Sequence, residues 1–237
     1  MANGIVICGD SGSGKSSSIA PDEELDIIGL DPKETFIINI KGKPLPFKGW
    51  KKLYIPITKD NLDKGNYLVS TDTDTIIKTL KYVSSKRPEI KNIVIDDSQY
   101  KMADEFMSKA SETGFDKYNI LAKNMYDIIN TGINLPEHIN FIILTHSEEE
   151  NGKTKLKTIG KLLDDKVILA GLFTVVLYTD IKITTKGVEY SFITNMCINN
   201  RGIVVTAKSP RGMFKELYIP NDLGYVIKKV NDYYNGE

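Results

Sequence analysis

One octapeptide limits the folds open to this chain more than any other feature. Gly9-Asp10-Ser11-Gly12-Ser13-Gly14-Lys15-Ser16 directly follows the apolar run Ile5-Val6-Ile7-Cys8 and fits G-x-x-x-x-G-K-[ST]. In that pattern the glycines let the backbone curl into a nest of N–H groups aimed at phosphate oxygens, and a helix starting behind it adds positive potential. Lys15 then reaches the β- and γ-phosphates, and the Ser16 hydroxyl ligates Mg²⁺. Gly9, Asp10, Ser11, Gly12, Ser13, Gly14, Lys15, Ser16 and Ser17 are therefore the candidate cradle for a nucleoside triphosphate. A loop of this kind must hang from a buried strand, so the chain is expected to build an α/β sheet.

The rest of the sequence agrees with that expectation. Short β-branched apolar runs recur at Ile5–Cys8, Phe36–Ile40, Leu53–Ile57, Ile93–Ile95, Phe141–Leu144 and Thr174–Tyr178, too continuous for one-sided strands. Between them lie helical patterns at Thr73–Lys86 (Ile76, Ile77, Leu80 and Val83 on one face), Gln99–Ala110 and Tyr118–Ile133. The alternation predicts a doubly wound, mainly parallel sheet. After Tyr178 the texture changes to Thr/Val/Ile-rich strands broken at Lys186-Gly187, Asn199-Asn200 and Arg201-Gly202, which predicts an antiparallel extension on one edge, closed by an amphipathic helix over Leu223–Tyr234. The 237 residues, 41% of them hydrophobic, suit one domain, with residues 1–178 as nucleotide-binding core and 179–237 as its extension.

Composition narrows the partners. Lys+Arg and Asp+Glu balance at 31 each, so no global positive field recruits nucleic acid, and any such binding must come from local clusters. Cys8 and Cys197 have no CxxC spacing and read as small buried hydrophobes in a reducing compartment. No apolar run approaches a membrane span and no signal-peptide pattern opens the chain, so a soluble cytoplasmic protein with no membrane partner is expected.

A second nucleotide element is Ile93-Val94-Ile95-Asp96-Asp97, an apolar strand ending in two carboxylates, the form of a Walker B motif. Parallel strands deliver ligands at their carboxyl ends, so this strand end should meet the phosphate loop, with Asp96 beside the Mg²⁺ shell. Asp97 either orients and deprotonates the attacking water or caps the helix that starts near Gln99. The next buried strand, Phe141–Leu144, ends in Thr145-His146, where His146 reads either as a γ-phosphate sensor or as a polar residue leaving the sheet into a solvated loop. His138 is expected in a surface turn.

The combination of Gly9–Ser16, Thr35–Asn39 followed by Gly42-Lys43-Pro44-Leu45-Pro46-Phe47, Ile93–Asp97, Thr145-His146 and Ala207-Lys208-Ser209-Pro210-Arg211 resembles the phage-encoded P-loop ATPases with a short RecA-like core, including phage single-strand annealing and recombination proteins. The resemblance implies Mg²⁺-dependent ATP hydrolysis between adjacent protomers of a homo-oligomeric ring or filament, with Lys208 and Arg211 as candidate cations donated across the interface, although their segment also reads as an ordinary basic hairpin turn. It also implies single-stranded DNA and a single-strand DNA-binding protein as partners, and a host-cell cytoplasm as location. Two features depart from it. Pro21 predicts an unusually short phosphate-binding helix, and Lys41-Gly42-Lys43 stands where RecA-like recombinases often carry a catalytic Glu, leaving Asp97 as the base by position.

The DNA-facing loops of RecA-like proteins correspond to roughly Met107–Tyr118 and Ser147–Gly160. The second carries Lys153, Lys155 and Lys157 but also Glu148-Glu149-Glu150, so it reads either as a phosphate contact or as a solvated loop. Lys41, Lys43, Lys48, Lys51 and Lys52, interleaved with Phe47 and Trp50, read either as a stacking platform for single-stranded bases or as a surface around a buried Trp50. The alternative to a recombination ATPase is a P-loop switch or kinase acting on a protein or small molecule. The absence of an Asn-Lys-x-Asp element argues against a GTPase.

Overall fold

The computed structural model describes residues 1–111, 114, 116–159, 162, 167–185 and 187–236. Parts of Met107–Tyr118, the end of the Ser147–Gly160 stretch at Gly160, and Lys186 lie outside them.

The strands are β1 (Asn3–Cys8), β2 (Thr35–Asn39), β3 (Tyr67–Val69), β4 (Asn92–Asp96), β5 (Asn140–Thr145), β6 (Ser147–Glu150), β7 (Lys153–Leu156), β8 (Val175–Thr184), β9 (Gly187–Ile193), β10 (Cys197–Ile198), β11 (Val204–Val205) and β12 (Tyr218–Pro220). The helices are α1 (Trp50–Leu53), α2 (Thr73–Lys86), α3 (Gln99–Ser108), α4 (Asp116–Ile133) and α5 (Leu223–Asn235). The main sheet has the order β12-β9-β8-β1-β5-β4-β2-β3. Its strands from β8 to β3 pair in parallel, and β9 and β12 add antiparallel partners at the β8 edge. This is a doubly wound, mainly parallel α/β arrangement, with β5 between β1, which leads into the glycine-rich loop, and β4, which ends in a carboxylate.

The apolar runs are continuous because the sheet is covered on both faces. Val6, Cys8, Phe36, Ile38, Ile93, Ile95, Phe141 and Ile143 point to the face covered by α2 and α4. Their neighbours Ile5, Ile7, Ile37, Val94, Ile142 and Leu144 point to the other, against Ile19, Tyr54 and α5. Helix α2 shows how sequence sets this locally. Asp72 caps it by accepting the Thr75 N–H at 2.8 Å, and Ile76, Leu80 and Val83, all fully buried, recur at helical spacing toward the sheet. Each such side chain contributes about 1.5–3 kcal/mol on burial.

Three expectations need correction. Leu53–Ile57 is not a strand, because Pro56 has no N–H to donate to a ladder. The segment ends α1 and then runs beside Tyr67, making only an isolated bridge at Pro56, while Tyr67–Val69 supplies the edge strand β3. The phosphate loop is followed by no α-helix, only a 3-10 turn over Ser17–Ile19. Pro21 disfavours helical geometry at the residue before it, and Ala20 is extended (φ −91°, ψ 146°). The helix-terminus field expected behind the loop is therefore missing. Finally, Ser147–Leu156 is a β-hairpin rather than an open loop, turning at Asn151-Gly152 with both residues left-handed (φ 51° and 74°). It joins β11 and β10 in a separate four-stranded sheet of order β10-β11-β7-β6.

β8 passes through Tyr178 without a break, so the proposed core and its extension share one sheet. Cys8 is fully buried and Cys197 half-buried. No helix among the described residues is long and apolar enough to cross a membrane.

Candidate nucleotide site

Four parallel strand ends and the loop after β1 converge at one rim of the sheet. Gly9 continues β1, whose Cys8 is in register with Thr145 of β5 and Tyr178 of β8, and Asp96 ends β4. The two sequence motifs meet here: Ser16 Oγ donates to Asp96 Oδ1 at 2.7 Å across 80 residues of sequence separation.

Lys15 is buried, not exposed as a free loop residue would be. It is 6% accessible and folds back so that its Nζ donates to the carbonyls of Gly9 at 2.9 Å and Asp10 at 2.7 Å. Burial lowers its pKa, and the charges of Asp97, Asp96 and Asp10 oppose that. A phosphate entering the nest would replace two neutral carbonyls as the partners of this ammonium with a charged acceptor, which is the stronger kind of hydrogen bond. Asp96 is also buried, and its pKa is pushed up to about 6. Desolvation is the main cause and Asp97 reinforces it, while the Ser16 hydrogen bond and Lys15 act the other way. A magnesium ion suits this donor set, because it takes few protein oxygens and completes its shell with phosphates and water. Ser16 Oγ and Asp96 would hold it; among the described residues no group of three or more His, Cys, Asp and Glu offers an all-protein cage.

Two further side chains at this rim brace the loop. Thr179, the first residue of β8 beyond the end of β1, donates to Ser13 Oγ at 2.8 Å, and Ser13 Oγ donates to the Asp10 carbonyl at 2.7 Å. Ser147 Oγ donates to Asp10 Oδ1 at 3.0 Å. The amide of Asn221 stands against Gly14, and its buried Nδ2 has no hydrogen-bond partner among the described residues.

Asp97 does not cap α3. The cap position is Ser98, with no side-chain cap bond, and Asp97 is a left-handed step (φ 59°) between β4 and the helix. Its carboxylate meets Lys43 Nζ at 3.0 Å and faces His146 Nε2 at 3.9 Å. The capping role that the sequence leaves open to Asp97 is thus not the one it fills. His146 lies between β5 and β6, its ring edge-on to Tyr100 (centroids 5.7 Å apart), and its backbone N–H donates to Gln99 Oε1 at 3.2 Å. Burial lowers its pKa, Lys15, Lys157 and Lys43 lower it further, and Asp97 opposes them. Burial and the surrounding lysines thus favour the neutral imidazole.

No protein-family model matches the sequence, and no curated protein matches it. Among solved structures, the chain is similar to a KaiC-like protein from Pyrococcus horikoshii OT3, with 12% identity, coverage of 85% of this chain and 89% of that one, and a TM-score of 0.41. It is similar to the flagellar accessory protein FlaH from Methanocaldococcus jannaschii, with 16% identity, coverage of 81% and 76%, and a TM-score of 0.39. It is also similar to the genome packaging NTPase of Sulfolobus turreted icosahedral virus 2 in complex with ATP-gammaS, with 12% identity, coverage of 78% of each chain and a TM-score of 0.40. None of the three lends a role to a residue here.

Lys208 and Arg211 lie elsewhere in their own protomer. Lys208 bridges antiparallel to Val176, which is in register with Val6 inside β1, so the chain from Lys208 onward runs away from the phosphate loop. The Arg211 carbonyl accepts from Tyr233 Oη at 3.4 Å, near the end of α5 whose Asn231 touches Asn3 at the start of β1. Lys208 is half-buried, and its pKa is lowered by that burial.

The basic stretches change meaning in three dimensions. In the β6–β7 hairpin Lys155 pairs with Glu148 at 3.3 Å and Glu150 at 2.9 Å, and Arg201 pairs with Glu149, so each carboxylate of the acidic run has a cation beside it. Trp50 packs on Tyr67 (centroids 5.5 Å apart) and Phe47 on Tyr54 (6.0 Å), which turns these aromatics toward the core. His138 is exposed in its turn. Sequence reasoning missed Thr179, Ser147 and Asn221. The first two follow the rule that ligands gather at parallel strand ends; nothing local marks Asn221.

Proposed function

We propose that this chain binds ATP with Mg²⁺ in the loop Gly9–Ser17 and hydrolyses it to ADP and phosphate. The observation that carries the proposal is the Ser16–Asp96 hydrogen bond, which unites a phosphate-loop hydroxyl with the carboxylate of a distant strand. In this reading Lys15 neutralises β- and γ-phosphate charge, Ser16 and Asp96 hold the metal, Asp97 acts on the attacking water, and His146 contacts the γ-phosphate as a neutral donor. The metal supplies charge neutralisation at the phosphates when bound.

The proposal extends to a homo-oligomer in which Lys208 and Arg211 of one protomer serve a neighbour's site, and to a role in phage recombination on single-stranded DNA. The DNA role is supported by the sequence resemblance alone. One set of assays tests these levels: ATP binding and Mg²⁺-dependent phosphate release by the wild type and by Lys15→Ala, each with and without single-stranded DNA. Lys15→Ala should lose nucleotide binding. Its fold should survive, because the Asp10 carbonyl keeps the Ser13 hydroxyl as donor and the Gly9 carbonyl keeps the Ser147 N–H. Wild-type turnover in the variant would refute the ATPase assignment, and turnover indifferent to DNA would refute the recombination role.

A further inference from the structure

We infer that Lys43 is a cation of the nucleotide site in its own protomer, leaving Asp97 for the γ-phosphate of bound ATP and so freeing Asp97 to act on the attacking water. This rests on the reading that the loop binds ATP.

Lys43 is placed by a built turn at the end of β2, the strand next to β4. Asn39 donates through Nδ2 to the Lys43 carbonyl at 2.8 Å and accepts the Gly42 N–H at 2.7 Å. The turn sets the Lys43 ammonium 3.0 Å from Asp97 Oδ2 and 4.5 Å from the centre of the Tyr100 ring, whose edge also meets His146. Its neighbour Lys41 is engaged elsewhere, bonded to Asp104 at 2.9 Å. The Lys43 side chain is 55% exposed while that of Asp97 is 15% exposed, so the cation is the partner free to move. A flexible four-carbon stem suits such an exchange. Asp97 and His146 face each other at the same point, beside the Ser16–Asp96 pair, so the place Lys43 occupies borders the end of the cradle where the γ-phosphate would lie.

The exchange follows from charge. Paired with Lys43, Asp97 is a poor acceptor for a water proton. A γ-phosphate carries more negative charge than one carboxylate and draws the ammonium away. Water oxygen then bonds to the γ-phosphorus as the bond from that phosphorus to the bridging oxygen breaks. Its electron pair leaves with ADP, and the water proton passes to Asp97 and on to solvent. Lys43 stabilises the charge spread over the transferring group.

The test compares wild type, Lys43→Met and Lys43→Arg in Mg²⁺-dependent phosphate release, and in binding of fluorescent ADP and a non-hydrolysable ATP analogue. Thermal melting verifies the fold. Lys43→Met is expected to lower kcat by about a hundredfold, the scale of one lost transition-state donor. ADP affinity should stay within about twofold, the ATP analogue should lose its advantage over ADP, and Lys43→Arg should recover part of both effects. A loss of kcat under tenfold, a parallel loss of ADP affinity, or an unchanged preference for the ATP analogue would overturn the role of Lys43. Failure of the wild type to bind either nucleotide would overturn the underlying reading and the inference with it.

Discussion

Gly9 has no room for a side chain, and the consequence can be worked out from the loop itself. A Cβ at Gly9 would lie 1.7 Å from Thr179 Oγ1 and 2.9 Å from both Thr179 Cβ and Ser13 Oγ, where ordinary contact begins near 3.4 Å. Gly9→Ala therefore forces Thr179 and the loop apart. β8 is held by ladders to β1 and β9, whereas the loop is held mainly by single side-chain bonds, so the loop takes up the displacement. Overpacking of a filled site costs about 1–3 kcal/mol. Carried by the loop, that cost appears as nucleotide affinity weakened about 5- to 150-fold, while Tm falls by less than about 4 °C. Titration with fluorescent ADP, with melting as a parallel measurement, reads both. Thr179→Ala in the same chain removes the nearest atom and should restore most of the affinity, a coupling of about 1 kcal/mol or more between neighbours. If Gly9→Ala binds ADP within twofold of wild type, or if the double variant shows only the sum of the single losses, strand β8 does not brace the loop.

Asp96→Asn should abolish Mg²⁺-dependent hydrolysis yet stabilise the metal-free protein. The Asp96 pKa of about 6 lies above its ordinary 3.8, so burying the carboxylate is penalised above pH 6 and not below about pH 4. The penalty is about 3 kcal/mol when fully developed. Melting in chelator should thus show the variant more stable at pH 7.5, with the gain vanishing toward pH 4; an equal gain at both pH values would refute the burial argument. His146→Ala should lower turnover while leaving ADP affinity unchanged, because only ATP supplies a γ-phosphate, and equal losses for both nucleotides would make His146 structural. Since its pKa is lowered, wild-type activity should not depend on His146 titration at pH 7 and above; a pH-rate limb there that disappears in His146→Ala would refute this. Mixing Arg211→Ala with Lys15→Ala, each inactive alone, should regain activity if Arg211 serves a neighbour's loop, and no recovery in mixed oligomers would rule that out.

The parallel sheet and the places of the glycine-rich loop and the Asp96 strand are legible in the amino-acid sequence. Buried strands write themselves as continuous apolar runs, and a backbone nest needs glycines at fixed spacing, so both signals are local. Pro21 likewise announced the shortened phosphate-binding helix, though not its collapse to one 3-10 turn. The Asn151-Gly152 hairpin was equally local, but the charges flanking it obscured the turn. Leu53–Ile57 misled because apolar β-branched composition is shared by strands and by chain packed beside them, and only the register against Tyr67 separates the two. The tertiary structure decided what the charges do. It folded Lys15 onto its own loop, gave Asp97 to Lys43 instead of a helix cap, turned Trp50 inward, and set the Lys208 backbone beside β8 and the Arg211 backbone beside Tyr233 of α5. A charged side chain's partner is chosen by whichever strand end arrives beside it, and that depends on sheet order, which no window of neighbouring residues contains.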